Sequence, residues 1–161
     1  MTCARLALSL ALAACLPACG SGDISLNELV ARNATGVTDP NGGTPDWLEL
    51  HNAGVGSVSL DGWFLSDDPT NPERESLNGL TVPAGGFLVL HASGDVTLGA
   101  DHLSFKLSGA GEELLLTDPN GEEIDSVSWG ELDPDTSWAR VPDGVGDWQT
   151  AEPTAGASNG P

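Results

Sequence analysis

DWLELHNAGVGSVSLDGWFLSDD, running from Asp46 to Asp68, is the stretch around which the rest of the chain can be laid out. Asp46–Asn52 carries no Gly or Pro, and its large apolar residues alternate. Leu48 and Leu50 fall on one face of an extended segment, and Trp47, Glu49 and His51 on the other. That pattern predicts a strand with one buried face and one mixed, half-wet face. Ala53–Ser57 has two Gly and no large side chain, which predicts a turn. A second strand is predicted over Val58–Ser66. Its parity breaks at Gly62, because Leu60 is even-numbered whereas Trp63 and Leu65 are odd. A bulge at Gly62 would return all three to the core face. Each Trp is a large apolar anchor.

The same residues resemble the lamin-tail domain. The carriers are Asp46-Trp-Leu-Glu-Leu-x-Asn52 and Leu60-x-Gly-Trp-x-Leu-Ser-Asp-Asp68. Downstream, Val82-Pro-Ala-Gly-Gly-Phe-Leu-Val-Leu90, Phe105-x-Leu-Ser108 and Glu113-Leu-Leu-Leu-x-Asp118 follow in order. Asp125-Ser-Val127, Arg140-x-Pro-Asp-Gly-x-Gly-Asp-Trp148 and Pro153-Thr-x-Gly-Ala-x-Asn159 complete the resemblance, which spans Ile24 to Asn159. It implies an all-β, immunoglobulin-like β-sandwich of about 8–9 strands. Its core would include Trp47, Leu48, Leu50, Trp63, Leu65, Trp129 and Trp148. Arg140 matches a family Arg, for which pairing with a carboxylate near the end of the sandwich is expected.

Composition agrees with short strands and tight turns: 161 residues with 21 Gly and 11 Pro. The charge is lopsided, with 24 acidic against 5 basic residues and a formal net charge of −19. Outside the leader only Arg32, Arg74, Lys106 and Arg140 are cationic. Phosphate backbones are bound through Lys and Arg, so no nucleic-acid partner is expected, although animal members of the resembled family are linked to DNA and chromatin.

Residues 1–18 read as a helical export signal. Arg5 precedes the apolar run Leu6–Leu16, which is too short for a membrane span of about 20 residues. Leu16-Pro-Ala-Cys19 resembles a bacterial lipobox, in which cleavage precedes a Cys whose thiol is diacylated. Leu12-Ala-Ala-Cys15 competes. Cys19 is preferred because it leaves a fuller apolar region and precedes a polar Gly-Ser-Gly tether. All three Cys lie at or before Cys19, so no disulfide is expected in the folded part. The remaining chain, about 140 residues, can bury roughly 70% of its unfolded surface and so hold itself together. The expected organisation is a signal peptide (1–18), a lipidated Cys and tether (19–23) and the sandwich (24–159).

Within the sandwich, a first strand is expected over Ile24–Arg32, with Ile24, Leu26 and Val30 on one face and Glu28 interrupting it. Further strands are expected at Leu80–Val82, Gly86–Ala92, Leu103–Leu107, Glu113–Thr117, Ile124–Trp129 and Ser137–Val141. Asn120-Gly121 reads as a hairpin tip. Asp147-Trp148 should fold back to close the sandwich.

No catalytic constellation is visible. Free Cys is absent after the leader, His51, His91 and His102 match no zinc spacing, and there is no Gly-x-Ser-x-Gly elbow. No enzyme activity and no cofactor is expected, with calcium as the one candidate ligand. Asp67, Asp68, Asn71, Glu73 and Glu75 cluster hard oxygens in one loop, to which Asp61 and Asp118 could add. The functional expectation is a non-catalytic lipoprotein of the cell envelope, at the outer membrane or cell surface, binding a protein or glycan. The alternatives are a calcium-dependent surface or matrix adhesion protein and, as the resemblance implies, an accessory module of an exported hydrolase.

Overall fold

A computed structural model describes residues 23–160. The expected signal peptide, Cys15, Cys19 and most of the tether lie outside these residues. Eleven strands follow one another among them: β1 (Ile24–Val30), β2 (Asp46–Asn52), β3 (Val58–Ser59), β4 (Phe64–Ser66), β5 (Glu75–Ser76), β6 (Thr81–Val82), β7 (Phe87–Ala92), β8 (Glu112–Thr117), β9 (Glu123–Trp129), β10 (Ser137–Val141) and β11 (Asp147–Ala151). A five-stranded sheet, β11-β10-β1-β2-β7, faces a four-stranded sheet, β5-β4-β8-β9, and β3 pairs with β6 alongside. All these pairings are antiparallel, and the result is an immunoglobulin-like β-sandwich. The number exceeds eight or nine because β3, β5 and β6 are two-residue fragments.

Leu48, Leu50, Leu60, Trp63, Leu65, Leu90, Leu114, Leu116 and Trp129 form one buried cluster between the sheets, with Trp138 and Trp148 half-buried against it. Trp47 is completely buried too, but on the opposite face, level with Val30 and His91. The outer face of β2 is therefore not half-wet. Glu49 on that face has no exposure at all.

The chain between Val58 and Ser66 is not one bulged strand. Trp63 N–H donates to the Leu60 carbonyl at 3.0 Å, so Leu60–Trp63 is a turn. There the chain leaves the β3–β6 pair and enters the four-stranded sheet as β4. Gly62 has φ +80°, and a Cβ there would sit 3.1 Å from Pro119 Cβ. Leu60, Trp63 and Leu65 still share the core, because the turn performs the parity change that a bulge was expected to make.

The bulge lies in β1 instead. Register with β2 shifts between Leu26 and Glu28. This moves Leu29 to the core and turns Glu28 and Val30 outward, against the expectation that Val30 would join Ile24 and Leu26. β10 meets β1 only at Glu28 and Leu29. Beyond that point the ladder is open, and side chains complete it. Arg140 Nε donates to the Leu26 carbonyl at 3.0 Å, and its Nη2 bonds Asp125 Oδ1 at 2.7 Å. Asp125 Oδ2 accepts from Leu26 N–H at 2.9 Å. Arg140 Nη1 reaches the Gly146 carbonyl, and the guanidinium lies 4.9 Å from the Trp148 ring centroid. Since Asp125 is on β9, this group ties one sheet to the other. Asn159 Nδ2 caps the carbonyls of Asn27 and Arg140, each at 3.0 Å.

Leu103–Leu107 forms no ladder strand. Leu103, Phe105 and Leu107 alternate into the core, but the backbone bonds locally: Leu103 N–H to the His91 carbonyl, and Ser104 N–H to Glu75 Oε2.

Arg140→Ala would leave Asp125, 15% exposed, without its cation and the Leu26 carbonyl without its donor. A loss of about 2–4 kcal/mol is expected in urea unfolding. A loss below about 1 kcal/mol would contradict this role.

Candidate functional site

The long loop before β2 is held by Asn33. Its Nδ2 donates to the Val37 carbonyl at 2.6 Å and the Pro45 carbonyl at 2.8 Å, and its backbone N–H donates to Asp46 Oδ1. Asp39 folds the loop tip, with Oδ1 accepting from Asn41 and Gly43 N–H at 2.8 Å each. Burial pushes the Asp39 carboxyl up, but these two N–H bonds and the neighbouring His102 and His91 outweigh it and hold it below 3.8.

Between this loop and the end of β7 lies an open cleft of about 390 Å³, lined by Asp39, Thr44, Asp46, Ser93 and Lys106 among others. Behind it, His102 Nδ1 is 2.9 Å from Ser93 Oγ, and His102 Nε2 is 3.9 Å from Asp39 Oδ2. The His91 ring lies 5.1 Å from that of His102, and its Nε2 is 4.0 Å from Asp101 Oδ2. Burial drives His91 toward the neutral form, with Asp101 opposing and His102 reinforcing. Ser, His and Asp thus meet here, but not as a nucleophile relay. The Asp–His separation is too long for a hydrogen bond. Ser93 Oγ also accepts from Asp95 N–H in a local turn. The group instead covers the edge of β7, where His91 and His102 form a parallel bridge. Nothing in the spacing of these His residues announces their meeting.

A second polar group lies under the closing segment, residues 153–160. Glu28 and Glu49 are direct cross-strand partners, 1% and 0% exposed. Asn27 Nδ2 bridges Glu49 Oε1 at 3.0 Å and Asp143 Oδ1 at 3.1 Å. Burial pushes the Glu49 carboxyl up to about 7, with Glu28 and Asp143 adding repulsion and bonds from Asn27 and Gly156 opposing. Burial likewise raises Glu28. Asp143 is also pushed up by burial, but donors from Asn159, Ser158 and Asn27 prevail and hold it below 3.8. The sequence signal was a Glu interrupting an apolar strand, whose partners could not be read.

The five acidic-loop candidates do not form a cage. Asp67 pairs with Arg74, Asp68 Oδ1 accepts from Thr70 N–H and Oγ1, and Glu75 accepts from Ser104 N–H. Asn71 and Glu73 are exposed. Asp61 accepts from the backbone N–H of Gly79 in a neighbouring turn, and Asp118 from those of Asn120 and Glu122 in its own turn. Among the described residues, no three His, Cys, Asp or Glu side chains are placed to hold a metal ion. Millimolar calcium is expected to leave the melting temperature within about 1 °C of its chelator value. A rise of several degrees would restore the calcium reading.

No curated protein matches this chain. The family model of the Lamin Tail Domain matches residues 17–131, which carry β1 to β9. β10, β11 and the closing segment lie beyond the match but are bonded into the same sandwich through Arg140 and Asn159. With that match over most of its length, and with the sandwich it requires, the chain belongs to the lamin tail domain family.

Proposed function

We propose that this chain is a non-catalytic binding module of the bacterial cell envelope, held to a membrane by acylated Cys19 and presenting its cleft away from the lipid. The polarity of the sandwich carries this reading. Ala53 N–H donates to the Asp23 carbonyl at 2.8 Å, so the chain arrives at the Ile24–Asn52 end of the sheet. The cleft is at Asp46 and Ala92, the opposite end of the seven-residue β2, roughly 20 Å away. With Cys19 acylated and β1 beginning at Ile24, the tether would be Gly20–Asp23 and would reach at most about 14 Å. A short mooring at one end turns the other end outward. Two acyl chains on one Cys anchor stably where one would not.

The partner is an envelope protein or glycan. An open cleft of mixed polarity, with carboxylates and the single cation Lys106, suits hydroxyl-rich or mixed-charge ligands and does not suit a phosphate backbone. Gly20 follows Cys19 in place of the Asp that retains some lipoproteins in the inner membrane, which favours the outer membrane or cell surface.

Metabolic labelling with a fatty-acid analogue tests the anchor on the full chain expressed in a bacterial host. Wild type and Cys15→Ala are expected to be labelled, and Cys19→Ala is expected to lose the label. Label retained in Cys19→Ala but lost in Cys15→Ala would move the anchor to Cys15. No label in any of the three would overturn the reading.

A further inference from the structure

Residues 153–160 lie across the outer face of β1 and β2 and are held there chiefly by carboxylates. Thr154 N–H donates to Glu28 Oε1 at 3.0 Å, Gly156 N–H to Glu49 Oε2 at 2.6 Å, and Asn159 N–H to Asp143 Oδ1 at 3.0 Å. Ser158 Oγ adds a bond to Asp143 Oδ2 and also lies 2.9 Å from the Gly160 carbonyl, at an exposed position where water can serve that carbonyl. Three acidic side chains therefore face this segment.

The hydroxyl of Thr154 lies within hydrogen-bond reach of two acceptors. Its oxygen is 3.0 Å from Glu28 Oε2 and 2.8 Å from Asn159 Oδ1. Asn159 is fixed with that oxygen as an acceptor, because its Nδ2 donates to two backbone carbonyls. One hydroxyl has one proton to give. Both short contacts are satisfied together when Glu28 is protonated and donates to Thr154 Oγ1, which then donates to Asn159. Glu49, by contrast, accepts from an N–H on each oxygen, as a carboxylate does. Glu28 and Glu49 are directly opposed on adjacent strands, where two buried like charges are unfavourable.

We propose that residues 153–160 are a proton-controlled strap: it closes over the sheet when the Glu28–Glu49 pair holds one proton and loosens when that proton is lost. Loosening would uncover the part of the face that bears Glu28 and Glu49.

The sign follows from the carboxyl shifts. With the strap closed the pair binds a proton more tightly than exposed Glu at 4.5, and the Glu49 value reaches about 7. The closed state is therefore favoured below 4.5 and loses that advantage as pH rises through about 7. The groups facing the pair are Asn27 on β1, Ser137 on β10, Asp143 in the β10–β11 loop, and Thr154 and Gly156 of the strap. Asp143 is held below 3.8 and does not change charge in that window. His51 on β2 lies near Asp143. Burial lowers its value from 6.5 while Asp143 opposes, so it works in the reverse sense and favours the closed state at higher pH. Arg140 meets the strap only through its backbone carbonyl, its guanidinium being engaged with Asp125.

Backbone amide hydrogen exchange on the full chain, corrected for intrinsic rates, tests the proposal. The readouts are Thr154, Gly156 and Asn159 measured against the core amides Leu48 and Leu90. In wild type, protection of the strap amides should fall at least about tenfold relative to the core between pH 5 and pH 8. Glu28→Gln keeps an acceptor for Thr154 N–H and a donor for its hydroxyl, so it should keep the strap protected at pH 8. Thr154→Ala removes the proton's acceptor and should loosen the strap already at pH 5, even if Glu28→Gln fails to fold. Strap protection that does not vary with pH in wild type, the same fall in Glu28→Gln, or unchanged protection in Thr154→Ala would each overturn the proposal.

Discussion

An opened ladder in the middle of the five-stranded sheet governs much of this molecule. β1 sits between β2 and β10 and carries a bulge at Asn27, so its pairing with β10 stops after two residues. A buried backbone group left without a partner costs as much as a lost hydrogen bond. The chain meets that demand with side chains: Arg140 and Asp125 on the core side, and Asn159 on the outer side. Each arrives from more than 90 residues away in sequence. The regions beyond the family match are thus structural partners of the first strand. They are not an appended tail.

The bulge also sets the chemistry of the outer face. By reversing the parity of β1 it turns Glu28 toward Glu49, so this pair needs a cover. Residues 153–160 supply one with backbone N–H groups, a hydroxyl and a carboxamide, all neutral. The sandwich therefore buries an acidic cluster on neutral donors, and so protonation becomes coupled to packing there.

Much of the fold could be read directly from residue patterns. The alternation of Leu48 and Leu50, the Trp63–Leu65 pair and the Asn120-Gly121 hairpin tip are local signals, and each appears where its pattern placed it. Features set by distant partners could not be read. No Gly or Pro marks the bulge at Asn27, so alternation alone puts Val30 on the wrong face. Gly62 did signal a parity change, but a turn between sheets and a bulge within a strand use the same residue. Leu103–Leu107 alternates as a strand does, yet its N–H groups are taken by the end of β7 and by Glu75. The candidate sites were harder still. The loop acids form a dense cluster in sequence but diverge in space, Asp68 to its own turn, Asp67 to Arg74 and Glu75 to Ser104, whereas Glu28, Glu49 and Asp143 are scattered and meet in space. In the proposed setting, that meeting lies on the flank of a module whose anchor and cleft occupy opposite ends.

The dependence of β1 on side-chain completion is tested most directly by urea unfolding of Asn159→Ala. Removing one carboxamide leaves the Asn27 and Arg140 carbonyls without their donor, neither charge nor core volume being altered. The expected loss is about 2 kcal/mol with an unchanged m-value. A loss below about 0.5 kcal/mol would contradict the view that the open ladder is closed by residues from the far end of the chain.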